Sequence, residues 1–117
     1  MPGYSTSFSG IEIVNDNRDK FKSELEKAIH TALDEIGAKA ESYAKSVVPV
    51  DTGRLRDSIT HKVNDADSSV EVGSDVHYAS YVELGTSRMR AQPYLRPSIE
   101  RHSSEYKSIL EQRLSNS

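Results

Sequence analysis

At 117 residues the chain is long enough for one domain with a modest core, and its 35% hydrophobic content leaves little apolar surface to spare. A net charge of -3 and a pI near 5.8 exclude the bulk basicity that holds nucleic acid. The absence of cysteine excludes disulfides, thiolate nucleophiles and thiolate-bound zinc.

The first element in chain order is a short strand predicted within Thr6–Val14, where Ile11 and Ile13 alternate around Glu12. Asn15, Asp16 and Asn17 are candidate helix caps. Behind them Phe21, Leu25, Ala28, Ile29, Ala32, Leu33, Ile36, Ala40, Tyr43, Ala44 and Val47 recur at spacings of three and four. That pattern predicts one amphipathic helix from about Asp16 to Val47, roughly 48 Å long at ~1.5 Å per residue. It outruns the core of a small globule, so one end is expected to project or to pack on a neighbour. Gly37 inside it costs about 1 kcal/mol relative to Ala and marks a bend or a close contact.

Pro49 ends this helix, because the residue before a proline is pushed out of the α region. Asp51 or Thr52 is expected to cap a short turn through Leu55. Ser58–Val63 and Ser69–Gly73 alternate as the two strands of a hairpin around the polar turn Asn64–Ser68. Val76–Leu84 fits either periodicity; a short helix ended by Gly85 is the preferred reading. Ser87–Gln92 reads as a basic, mobile loop. A last helix runs from Pro97 to about Leu114 along Ile99, Tyr106, Ile109, Leu110 and Leu114. The expected fold is therefore α+β: a long N-terminal helix and a C-terminal helix packed on a small antiparallel β-sheet. The whole chain, 1–117, reads as a single domain with flexible ends at 1–5 and 115–117. Residues 1–5 offer neither a basic nor an apolar signal region, and no apolar run approaches the ~18–20 residues that span a bilayer, so use in a cytoplasm without a membrane partner is expected.

No catalytic arrangement emerges. His30, His61, His77 and His102 are scattered, with no paired spacing for a metal. No Gly-x-Ser-x-Gly elbow and no phosphate-binding glycine loop occurs. Asp51-Thr52-Gly53 matches an aspartic-protease triplet in letters only, as a single copy before a charged turn. Neither a metal nor any other cofactor is expected. Charge, by contrast, is segregated. Asp65, Asp67, Glu71, Asp75 and Glu83 share a stretch without Lys or Arg, whereas Arg88, Arg90, Arg96 and Arg101 follow against Glu100 alone. Complementary patches on different faces suit a head-to-tail subunit contact, and tyrosine beside arginine suits a protein interface better than a catalytic cleft.

Four phrases, in order, resemble one family: Val48-Pro49-Val50-Asp51-Thr52-Gly53-Arg54-Leu55-Arg56-Asp57-Ser58-Ile59; Val72-Gly73-Ser74; Tyr78-Ala79-Ser80-Tyr81-Val82-Glu83-Leu84-Gly85-Thr86; and Gln92-Pro93-Tyr94-Leu95-Arg96-Pro97. Together with the preceding helix they resemble the gene-10-like tail components of long-tailed bacteriophages, also described as head–tail connector, tail-completion or tail-to-head joining proteins. The resemblance spans roughly Leu25–Ser98, with Leu84 and Tyr94 where the family often has phenylalanine.

The resemblance implies a non-enzymatic structural protein of the virion neck or tail, built in the host cytoplasm. It implies a ring, in the virion a hexamer of the chain with itself. The ring would contact the tail tube or terminator and the head-closure proteins, with DNA passing through its lumen unread. The charged members of the subunit and partner interface are expected to be Arg54, Arg56, Glu83, Arg88 and Arg90. Its aromatic anchors are expected to be Tyr78, Tyr81 and Tyr94. The rival reading is a DNA-contacting phage accessory protein using the arginine-rich loop; an enzyme built on Asp51, His61 or His77 has no motif behind it.

Overall fold

The structure, a computed structural model, describes residues 3–8, 19–49 and 53–115. Its elements are β1 (Tyr4–Phe8), α1 (Asp19–Val47), α2 (Arg54–Ser58), β2 (Thr60–Asn64), β3 (Ser69–Ser74), α3 (Ala79–Leu84), α4 (Leu95–Glu100) and α5 (Ser103–Ser115). The α+β expectation holds: a long helix and C-terminal helices lie against a three-stranded antiparallel sheet of order β1-β3-β2.

The hairpin forms where the alternation placed it, with Asn64 opposite Ser69 and Thr60 opposite Gly73. β1 adds to the other edge of β3, from Tyr4 opposite Ser74 to Phe8 opposite Val70. The first strand therefore starts earlier than expected, and Tyr4 and Ser5 are paired residues rather than a loose end. Ile11, Ile13 and the candidate caps Asn15, Asp16 and Asn17 lie outside the described residues. Period-2 alternation decides which face is which. Val70 and Val72 are buried under the helices, whereas Glu71 points outward and accepts a hydrogen bond from Ser5 Oγ at 2.6 Å.

α1 buries Ile29, Ala32, Leu33, Ile36, Ala40 and Ala44 along one stripe, as spacings of three and four require. Its C-terminal end continues into buried Val48 before Pro49 stops it. Gly37 is a close-approach residue rather than a bend: a Cβ there would stand 2.5 Å from His61 Cδ2 and 2.7 Å from Val70 Cγ2. The ring of His61 thus lies directly over the helix, and both its nitrogens are engaged. Nδ1 meets Glu41 Oε1 at 2.9 Å and Nε2 meets Asp34 Oδ1 at 3.0 Å. Only a doubly protonated ring donates from both nitrogens.

Burial pulls the His61 pKa down, but the hydrogen bonds to Glu41 and Asp34 and the charges of both carboxylates outweigh it, leaving the group above its ordinary value. Burial likewise pushes Glu41 up. The hydrogen bonds from His61 and Lys45, with their charges, reverse that and hold it below the carboxylate range. A raised imidazole contributes stability that is complete below its unfolded pKa of about 6.5 and disappears as pH rises through the higher folded value. The lowered Glu41 contributes stability that is lost as pH falls through its folded value. His61→Gln is expected to cost about 1–2 kcal/mol near neutrality. The gap between wild type and variant should close on the alkaline side of neutrality in urea titrations; a gap constant with pH would show that the ring is not charged in the fold.

Two expectations at the other elements need correction. The C-terminal helix is two helices, because the chain turns at Arg101 and His102, where His102 N–H reaches back to Ile99 O at 3.3 Å. The turn stacks His102 on Tyr43, ring centroids 3.6 Å apart, and sets Tyr106 in the interior with its hydroxyl donating to Ser98 O at 2.5 Å. It also lets α5 run back along α1, tied by Tyr43 to Glu105 at 2.6 Å, Lys39 to Glu105 at 3.3 Å and Arg113 to Glu35 at 2.6 Å. At α2 the cap position belongs to Gly53, with φ of 80° and no side-chain capping bond; the expected caps Asp51 and Thr52 lie outside the described residues. The molecule is elongated, with extents of 55 × 26 × 22 Å, as a helix of ~43 Å requires.

Candidate subunit interface

The segments that carried the sequence resemblance meet at one end of the molecule, past the C-terminus of α1. α3 is a helix of six residues closed by Gly85, whose N–H bonds Tyr81 O at 2.8 Å. So short a helix is held by tertiary contacts, here buried Ala79, Ser80 and Glu83. Its other face is left to solvent: Tyr81 is 50% exposed and Leu84, three residues on, is 60% exposed. Between this face and α2 runs a groove of about 510 Å³, lined by Pro49, Leu55, Tyr78, Tyr81, Val82 and Met89, with Gly53 and Thr86 also at its surface.

The basic loop that follows is more fixed than the sequence suggested. Thr86 and Met89 exchange backbone hydrogen bonds at 2.9 and 3.3 Å, and Gln92 N–H donates to Val82 O at 2.8 Å. Thr86 Oγ1 also accepts from Arg88 N–H at 3.2 Å. The loop is a closed turn pinned to α3 at both ends, and it holds Arg88 and Arg90 in solvent beside the groove. Neither arginine has an ion-pair partner among the described residues. Arg54 and Arg56 are exposed on α2 across the groove, with Arg56 Nε 3.5 Å from Asp57.

Of the eight residues expected at an interface, six share this end: Arg54, Arg56, Tyr78, Tyr81, Arg88 and Arg90. Glu83 and Tyr94 do not reach the surface, and for them the expectation is corrected. Glu83 is 3% exposed, and its carboxylate accepts the backbone N–H groups of Tyr94, Leu95 and Arg96 at 3.0, 2.7 and 3.1 Å. It caps the start of α4, satisfying donors that no helix can satisfy internally. Tyr94 is fully buried, with its hydroxyl 3.3 Å from Ala79 O; burial, then the nearby Glu83 charge, pushes its phenol well above the usual range. Both fix the turn in place from inside.

Sequence reasoning missed the apolar part of this surface. Met89, 38% exposed, lines the groove with Tyr81, and Leu84 is exposed on the same short helix. Met89 was legible in principle, since an apolar residue between two arginines in a polar loop has no local reason to be there. The acidic hairpin lies elsewhere. Asp65, at its tip, meets His30 Nδ1 at 2.7 Å on the N-terminal half of α1, away from the groove that adjoins the C-terminal end of that helix.

Among the described residues no group of three or more His, Asp or Glu side chains is placed to hold a metal ion. Among them, too, no helix is long and apolar enough to cross a membrane. Both nitrogens of His61 are taken by carboxylates of α1, and Asp51, weighed with it from sequence, lies outside the described residues.

No curated protein and no solved structure matched the chain. A protein-family model did, over residues 14–85, more than half of the chain and including α1, the hairpin and α3; its description is "Bacteriophage HK97-gp10, putative tail-component". The chain belongs to this HK97 gp10-like family of bacteriophage tail components.

Proposed function

We propose that the protein is a ring subunit of the virion neck that joins the tail to the head, acting by protein–protein assembly. One observation carries this reading: a turn pinned by backbone hydrogen bonds holds two arginines, with no ion-pair partner among the described residues, beside exposed Tyr81, Leu84 and Met89. Aromatic residues, methionine and arginine are the types enriched at interfaces, and a turn fixed in advance loses little entropy on docking. In this reading the acidic hairpin, whose tip packs on α1 at His30, supplies the complement. A contact between two different patches of identical chains is heterologous, and it closes into a ring where the rotation permits. In this reading Arg54, Arg56, Arg88 and Arg90 are the charged members and Tyr78 and Tyr81 the aromatic anchors. The hexameric ring, the contacts with tail tube or terminator and head-closure proteins, the passage of DNA and assembly in the host cytoplasm belong to the same proposal.

The test is charge reversal. Arg88→Glu with Arg90→Glu places like charges against the neighbour's hairpin, which is expected to weaken self-association by about a hundredfold or more. In particles, electron microscopy should then find filled heads and finished tails apart. Normal joining by the double variant would overturn the proposal.

A further inference from the structure

We infer that the groove between α2 and α3 receives a short acidic segment, carrying aliphatic or aromatic side chains, from a protein other than this chain. The inference rests on reading this end of the molecule as an assembly surface, and it names the chemistry of the partner that fills the apolar part. Leu55, Tyr78, Tyr81, Val82 and Met89 line a space of about 510 Å³, and sites that hold a bound group span roughly 300–1,000 Å³. Lining and rim differ in chemistry. The elements around the groove, α2, α3 and the turn to Gln92, carry Arg54, Arg56, Arg88 and Arg90 against one surface carboxylate, Asp57. Their other acid, Glu83, is buried on the backbone N–H groups of α4. A basic segment would be repelled by this rim, and a purely apolar one would leave the guanidinium groups beside it without partners. Carboxylates on either side of apolar anchors satisfy both. Tyrosine, methionine and arginine are the side chains that anchor protein interfaces. The bonds between Thr86 and Met89 and from Gln92 to Val82 fix Met89 and its flanking arginines before a partner arrives, so little ordering is left to oppose docking.

The described residues of a second copy do not supply such a segment. Among them, the large apolar side chains that stand exposed are Val47, Tyr81, Leu84 and Met89, and none belongs to the hairpin. A head-to-tail neighbour that presents its hairpin tip offers Asp65, Ala66, Asp67 and Ser68. These bring carboxylates for the arginines, but no apolar group larger than the methyl of Ala66 for the groove. A head-to-head copy brings the apolar side chains but sets arginine against arginine, which is repulsive. The neighbour's hairpin and a foreign segment are compatible at the same turn, because a guanidinium has five N–H donors and can serve two carboxylates together.

Met1 and Met89 are the methionines of the chain, so isotope labelling of methionine methyl groups puts one reporter in the groove. The probe is a blocked peptide with Leu-Phe-Leu at its centre and glutamates on both sides. It is expected to move the Met89 methyl signal saturably, with an affinity about tenfold or more above that of the same peptide flanked by lysines or centred on serines. Tyr81→Ser, at a half-exposed position, should weaken the glutamate-flanked peptide by about tenfold and leave self-association, read by sedimentation, unchanged. Arg88→Glu with Arg90→Glu should weaken both. An unmoved Met89 methyl, or an equal response to all three peptides, would overturn the inference. Loss of self-association in Tyr81→Ser would assign the groove to a second copy, overturning the inference and leaving the head-to-tail reading standing. Dodecanoate moving the methyl where the glutamate-flanked peptide does not would mark a site for anionic amphiphiles and overturn it as well. Intact self-association in the arginine double variant, with peptide binding lost, would instead remove the head-to-tail reading and leave the groove's foreign partner in place.

Discussion

Glu83→Ala is expected to be the most destabilising single truncation at the candidate interface, by about 4 kcal/mol, although the side chain looks like a surface carboxylate in sequence. The carboxylate accepts three backbone N–H groups at the start of α4, those of Tyr94, Leu95 and Arg96, at 2.7–3.1 Å. Alanine leaves all three without a partner, two of them buried, and each buried orphan costs roughly 1–3 kcal/mol. The negative charge at a helix start is lost as well. Against the ~5–15 kcal/mol that holds a typical domain together, this is a large fraction. Glu83→Gln separates the two contributions. Its one carbonyl oxygen can keep Tyr94 and Leu95, but its amide group then faces Arg96 N–H donor to donor, so about 2 kcal/mol is expected. Urea unfolding of the two variants gives both numbers. Losses below about 1 kcal/mol for the alanine variant would mean that water replaces the carboxylate and that the cap is not structural. Because the carboxylate anchors the far end of the basic turn, the variant should also associate with itself less well than its folded fraction predicts.

This residue shows where sequence reading succeeds and where it stops. The long helix was legible because eleven apolar positions at spacings of three and four leave no other solution, and the hairpin because two alternating runs flank a polar turn. Gly85 was legible as a helix end. Chain direction after α3 was not. Whether Glu83 and Tyr94 face outward depends on how α4 returns over α3, and that is fixed by contacts eleven to fifteen residues apart with no local signature. The clamp on His61 was equally hidden. Asp34 and Glu41 are seven apart on a helix, an ordinary solvated pair in sequence, and only the packing of β2 over Gly37 places an imidazole between them. The break at Arg101–His102 falls within a run whose apolar spacing continues through it. In each case the missing information is tertiary: local pattern says which faces are apolar, not which polar groups the packing will bring together.

Gly85→Ala should cost about 3 kcal/mol, with much of the damage confined to the turn that bears Arg88 and Arg90. The residue has φ of 77° and ψ of 174°, a combination that essentially only glycine populates and that strains other residues by about 1–3 kcal/mol. Sterics add to this. A Cβ would lie 2.7 Å from Ala91 N and 3.0 Å from Met89 O, backbone atoms of the returning half of the turn that have no rotamer by which to step aside. The turn must open. The exchanged bonds of Thr86 and Met89 and the bond from Gln92 to Val82 are the ones that stretch. Gly85→Asn should not rescue the position, since asparagine tolerates left-handed helical backbone but not an extended ψ at positive φ. Amide exchange distinguishes a local from a global effect. Thr86, Met89 and Gln92 are expected to lose protection far more than Val70 or Val72, while self-association weakens as the arginines lose their fixed spacing. Unchanged protection at those three amides, with normal association, would show that the turn does not depend on this backbone conformation and that its arginines need no pinned loop to act.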